Sequence, residues 1–299
     1  MNASSTSVNA AGFTRREGLI ALIGGVAALS GCGGGGGDVA TVGSGGTGSF
    51  SSGVITGFGS IIVNGVRFDD SKAGVTDDDG APRSTSDLKL GMIVSITASS
   101  VATGTGGSTA TATKITFGSE LRGPIESIGT NSLVVLGQTV QIKTTTVFDN
   151  GISAGLASLA VGQIVEVHGF VDPATNQIVA TRIEREASAA SLRLQGQVQG
   201  LNATAKTFAI GTVTISYAGI AATALPANLA NGMLVQVTLA PTPATGTRNA
   251  TSVRAVGLEA GDHDEAELEG TVTAFTSSAK FSVNGVAVDA GKASFPNGT

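Results

Sequence analysis

At 299 residues, with 17 Lys and Arg against 22 Asp and Glu, the chain is mildly acidic and longer than one hydrophobic core usually supports. A net charge of −5 with basic residues scattered singly excludes the clustered cationic surface that nucleic-acid binding requires. Forty-four glycines, no tryptophan and 13% charged residues favour short strands and turns over amphipathic helices, while 41% hydrophobic content suffices for cores, so the chain reads as all-β.

Residues 1–31 have the layout of an export signal. Arg15 and Arg16 precede an apolar stretch from Leu19 to Leu29. Gly24 and Gly25 interrupt it, and it is shorter than the ~20 apolar residues a membrane-spanning helix needs. It ends in Leu29, Ser30, Gly31 and Cys32, which resembles the bacterial lipobox at all four positions. The resemblance implies cleavage between Gly31 and Cys32, acylation of Cys32 and membrane attachment through it. Gly33, not an Asp, follows, which is consistent with an outer-membrane address facing the periplasm or the cell surface. Cys32 is the chain's one cysteine, so no internal disulfide is available. Thr14 to Leu19 also resembles a twin-arginine motif, with Gly18 where a bulky residue is usual, and both general and twin-arginine export fit. Residues 32–52 are rich in Gly and Ser and read as a flexible tether, so a disordered signal and linker are expected ahead of the folded part. Gly43, Gly45 and Gly48 have the spacing of a dinucleotide-binding loop, but no strand precedes them and no helix follows.

Beyond residue 52 three signals recur in the same order. The first is Gly, any residue, then Ile or Val: Gly53 with Ile55, Gly123 with Ile125, Gly196 with Val198 and Gly270 with Val272, spaced by 70, 73 and 74 residues. The second is a pair of apolar alternations around a tight turn, with Asn64-Gly65 and Asn284-Gly285 suited to two-residue hairpins. The third is Leu90-Gly91, Val161-Gly162 or Gly232 followed by alternating valines and isoleucines, and then a strand containing an Ala-Thr pair at Ala112, Ala180 or Ala250. Each unit thus has about five strands, with a segment such as Asp149 to Ala160 free to hold a turn or short helix between the third and fourth. That order predicts tandem five-stranded OB-like barrels, with other small barrels left open. The units are 53–118, 119–188 and 191–258, with a truncated fourth at 265–299. Its fourth and fifth strands are missing by comparison, so either a fragment of a longer protein or an incomplete unit packed on a neighbour is expected, the fragment being favoured.

The units Gly270 to Val288, Leu159 to Ile183 and Leu229 to Val253 resemble the bacterial envelope repeat known as domain of unknown function 5666. The resemblance implies an envelope address and a β fold. It implies no activity.

The residues that recur are glycines, aliphatics and the Ala-Thr pair, all explicable by turns and core packing, and no polar residue recurs as a catalyst would. Alternation puts Val165, Val167 and Val171 on a core face and Glu166 and His168 on the other, so His168 is expected at the surface. No metal site is expected. The weak candidates are Asp77, Asp78 and Asp79, in an acidic loop with Asp69 and Asp70 that lacks EF-hand spacing, and His263, in an acidic linker. There is no nucleophile elbow and there are only two histidines, so serine hydrolysis is disfavoured. The expectation is a non-enzymatic, cofactor-free, lipid-anchored array that binds an envelope polysaccharide, peptide or protein, or acts as a structural spacer. The alternatives are a Ca-type or other enzymatic activity confined to one unit, and periplasmic solute binding.

Overall fold

A computed structural model describes residues 48–294, apart from 173–174, 176, 189, 242–245, 257–264, 269–271 and 284–285. The predicted signal, the lipobox with Cys32, Arg15 and Arg16, nearly all of the tether, the Asn284-Gly285 turn and His263 lie outside the described residues. The described residues fall into two compact units. One comprises residues up to Leu88, Val94–Phe117 and those of Leu258–Thr299; the other comprises Lys89–Ile93 and Gly118–Gly257.

The first unit contains β1 (Ser49–Gly57), β2 (Ile61–Val63), β3 (Val66–Asp69), β4 (Gly74–Asp77), β5 (Pro82–Arg83), β6 (Ile93–Ala98), β7 (Ala102–Gly104) and β8 (Gly107–Phe117). β1, β2, β3, β8 and β6 close into a ring, because β6 returns to pair with β1. β3 runs parallel to β8, and the β1–β2, β2–β3 and β6–β8 pairs are antiparallel. Numbered within the ring, the order is first, second, third, fifth, fourth, which is that of the predicted OB-like barrel. Asn64 and Gly65 both have positive φ, as the two-residue hairpin between β2 and β3 requires. Ile55, Val63, Phe68, Ile96 and Ile115 fill the interior and are buried.

The second unit repeats the order. β9 (Leu121–Ile128), β10 (Ser132–Val135), β11 (Gln138–Gln141), β12 (Val147–Phe148), β13 (Ile164–Asp172) and β14 (Gln177–Glu186) form a second closed ring. Its order is β9, β10, β11, β14, β13 and back to β9. Gly155–Ser158 forms one turn of 3-10 helix in the connection expected to hold a turn or short helix. β15 (Leu192–Gln197), β16 (Gln199–Asn202), β17 (Thr207–Ile210), β18 (Val213–Ser216), β19 (Leu234–Leu239) and β20 (Arg248–Ala255) follow the same plan, with the first strand broken at Val198 into β15 and β16. β9 pairs with β15, so these strands form one twelve-stranded sheet, and a single buried cluster runs from Leu121 to Val253. In the first unit, β21 (Glu265–Leu268) pairs in parallel with β1, and β22 (Val272–Ser277), β23 (Lys280–Val283) and β24 (Val286–Asp289) form a three-stranded antiparallel sheet.

The geometry gives each recurrent sequence signal a cause. The apolar residue two past the opening glycine is bonded on both sides to the loop before the fourth strand. Ile125 N donates to Gln163 O and its carbonyl accepts from Gly162 N; Val198 does the same with Met233 and Gly232. Gly91, Gly162 and Gly232 hold φ of +86, +88 and +86°, so the loop takes a left-handed conformation that favours glycine. The Ala-Thr pair marks a bulge. Thr97 opposes Lys114 and Ala98 opposes Ala112, so Thr113 is the extra residue; Thr181 and Thr251 are skipped in the same way. A bulge adds local bend and twist, which a fifth strand paired on both edges of so small a ring needs.

Opposite the bulge of the second ring, Gly169 is closed in. A Cβ there would lie 2.4 Å from Val179 O and 2.9 Å from Ile178 Cγ2. Gly169→Ala is expected to destabilise the second unit by about 1–3 kcal/mol as overpacking, read as a lower urea midpoint than that of the parent chain.

Candidate functional site

Outward-facing side chains on the second unit's sheet are unusually buried. One cross-strand row runs through Arg182, His168, Glu120, Gln195, Gln236 and Arg254. The adjacent row runs through Glu184, Glu166, Arg122, Arg193, Thr238 and Ser252. Arg182, His168, Glu120, Arg193 and Gln236 are all buried although they point away from the apolar core.

His168 is 2% exposed, which corrects the expectation of a surface histidine. Alternation did identify its face, since Val165, Val167 and Val171 are in the core. The residues 118–120 that precede β9 cover it: Nδ1 lies 2.8 Å from the Gly118 carbonyl and so carries the donated hydrogen. Nε2 sits 3.6 Å from Glu184 Oε1, an ion-pair separation too long for a hydrogen bond, and has no hydrogen-bond partner. Arg182 Nε donates to the same Glu184 oxygen at 2.6 Å, while its Nη1 and Nη2 donate to Leu90 O at 3.1 Å and Asp149 Oδ1 at 3.3 Å. Glu120 Oε2 accepts the Gly169 N–H at 2.7 Å, opposite the bulge. Glu120 and Arg182 persist as buried charges because the carboxylate accepts a hydrogen bond and the guanidinium faces two carboxylates.

Burial works against a charged imidazole, but Glu184, Glu120 and Glu166 outweigh it and raise His168 above its ordinary 6.5. Burial likewise opposes the Glu184 carboxylate, yet His168 and Arg182 bring it down to about 2. Burial and the nearby Glu166 and Glu184 push Glu186 up. This arrangement can store or release a proton. The imidazole itself is enclosed.

The acidic loop of the first unit is also spent internally. Asp77 Oδ1 accepts from Asp79 N at 3.1 Å and Ala81 N at 2.8 Å, and Oδ2 accepts from Arg83 at 2.7 and 2.9 Å. Burial opposes its charge, but these donors hold its carboxyl below the ordinary carboxylate range. Asp69 accepts the Ser71 N–H. Asp77, Asp78 and Asp79 thus form a turn closed on its own amides and Arg83. Among the described residues no group of three or more His, Cys, Asp or Glu side chains is placed to hold a metal ion. Among them, too, no helix is long and apolar enough to cross a membrane.

The sequence did not single out the outward face of β2, β3 and β8 in the first ring. Arg67 on β3 stands opposite Ile62 on one side and Thr109 on the other, and Asp69 stands opposite Thr111. Arg67, Asp69, Thr109 and Thr111 are exposed. Phe58, in the turn between β1 and β2, is 50% exposed, and Arg67 Nη1 donates to the Gly59 carbonyl of that turn at 3.3 Å.

The pH response of the second ring follows from the two shifts. His168 adds stability fully below 6.5 and loses it as pH rises through its higher folded value; Glu184 adds stability above 4.5 and loses it as pH falls toward 2. The second unit's thermal midpoint is therefore expected to rise by about 2–6 °C on going from pH 8 to pH 6, measured by calorimetry. His168→Gln should flatten that rise, and an unchanged profile in the variant would assign the effect elsewhere.

Residues 122–184, from Arg122 on β9 to Glu184 on β14, match the domain of unknown function DUF5666. A search of curated proteins returns no match for the chain.

Proposed function

We propose that the chain is a lipid-anchored protein of the bacterial envelope, held to the outer membrane through acylated Cys32, whose OB-like rings form a non-enzymatic binding or structural module. The address rests on the joint order of Arg15 and Arg16, the apolar stretch and the Leu29-Ser30-Gly31-Cys32 motif. Support for a binding role is the contrast between two outward faces. In the second unit His168, Arg182 and Glu120 are enclosed, whereas in the first ring the face around Arg67 and Phe58 is open. That contrast is the observation that carries the reading.

Two experiments test it. Intact-mass analysis of the mature protein is expected to find Cys32 at the N-terminus with a diacylglycerol adduct, and Cys32→Ala should move the protein from the membrane to the soluble fraction. An unmodified chain starting elsewhere would remove the anchor. Cross-linking pull-down from native envelopes is expected to capture an envelope component, and its capture should be unaffected by His168→Gln. If His168→Gln abolished the activity of the chain instead, the enzymatic reading would replace this one.

A further inference from the structure

We infer that the outward face of β2, β3 and β8, with Phe58 at its edge, is a binding site for a neutral polysaccharide. This rests on the binding role proposed above and names its ligand class.

The face has an apolar part and a polar part side by side. Gly57 pairs with Ile62, and because Gly57 has no side chain Ile62 lies across it; a Cβ at Gly57 would stand 3.0 Å from Ile62 Cδ1. The next residue is Phe58, followed by Gly59, around whose missing side chain there is open space. Beside this platform Arg67 is held to the turn through Gly59 O, which positions its guanidinium at the apolar edge. Thr109, whose hydroxyl donates to the Ala102 carbonyl at 3.5 Å, and Thr111 are exposed along the neighbouring strand. A sugar ring has the matching pair of surfaces, C–H groups on its flat faces and hydroxyls around its rim.

Charge and topology decide between this and other extended ligands. Arg67 and Asp69 balance, and a net charge of −5 disfavours a polyanion. β2, β3 and β8 are each hydrogen-bonded on both edges, so a peptide cannot join them as an added strand. The ligand must be gripped by side chains.

A second observation sets Phe58 apart from packing. Five residues past the opening glycine each unit has a large apolar side chain: Phe58, Ile128, Leu201 and Phe275. Ile128 and Leu201 are partly buried against the core of the second unit. Phe58 is 50% and Phe275 69% exposed, so where the position is aromatic it faces water. Large exposed aromatics are what binding surfaces concentrate.

The full chain, purified in detergent, is to be applied to an array of neutral glycans, acidic glycans and extended peptides. Retention on neutral glycans is expected. Phe58→Ala should weaken it by about tenfold, the size of a hot-spot truncation. Arg67→Ala should weaken it too, and Phe58→Tyr should restore binding. Because Phe58 is half exposed, the Phe58→Ala midpoint should match the parent's, which separates lost contact from lost fold. Retention on acidic glycans or peptides alone, or neutral-glycan binding indifferent to both alanine variants, would overturn the inference. If envelope pull-down still captured a partner in those variants, the binding role would stand without this site; if the parent captured nothing, the role itself would fall.

Discussion

Closure of a five-stranded ring is the constraint on which the rest of this protein depends. The fifth strand must pair in parallel with the third on one edge and antiparallel with the fourth on the other. A flat strand cannot satisfy both neighbours around so tight a circumference, and a bulge supplies the bend. Thr113, Thr181 and Thr251 occupy that bulge at the same place in their rings. The glycine loop before the fourth strand is the second fixed point, since its amide and carbonyl clamp the first strand at Ile125 and Val198.

The bulge also shapes the chemistry around it. It aligns His168 with Arg182 on the outer side of the second ring while Ala180 and Ile183 stay inside. Gly169 then donates its N–H to Glu120, and the carboxylates of Glu120 and Glu184 surround an imidazole that has lost its water. Mutual pairing is what makes such burial tolerable, and the cost of removing one member exceeds the gain from the intact pair. The second unit therefore encloses Glu120, His168 and Arg182, and the first ring leaves an arginine, an aspartate, two threonines and a phenylalanine open to solvent.

Much of the fold was legible in the residues. Alternation identified the core face through Val165, Val167 and Val171, and the Asn64-Gly65 pair marked its hairpin, because local backbone preference and period-two burial are sequence-local effects. The recurrence of Ala-Thr was visible, but its cause was not. A bulge is a mismatch of register between two strands, and register is written in neither strand alone. The fusion of β9 with β15 was likewise invisible, since it joins edges that sequence assigns to different units.

What the sequence determined by itself is the strand content, for alternation and turn preference depend on neighbours a few residues apart. What only the tertiary structure decided is the state of the polar groups. His168 reads as solvent-facing by alternation and is buried, whereas Phe58, which no sequence pattern singled out, is half exposed. Burial of an outward side chain depends on what chain folds over it, here Gly118 to Glu120 over His168, and that covering is set by long-range closure rather than by local pattern.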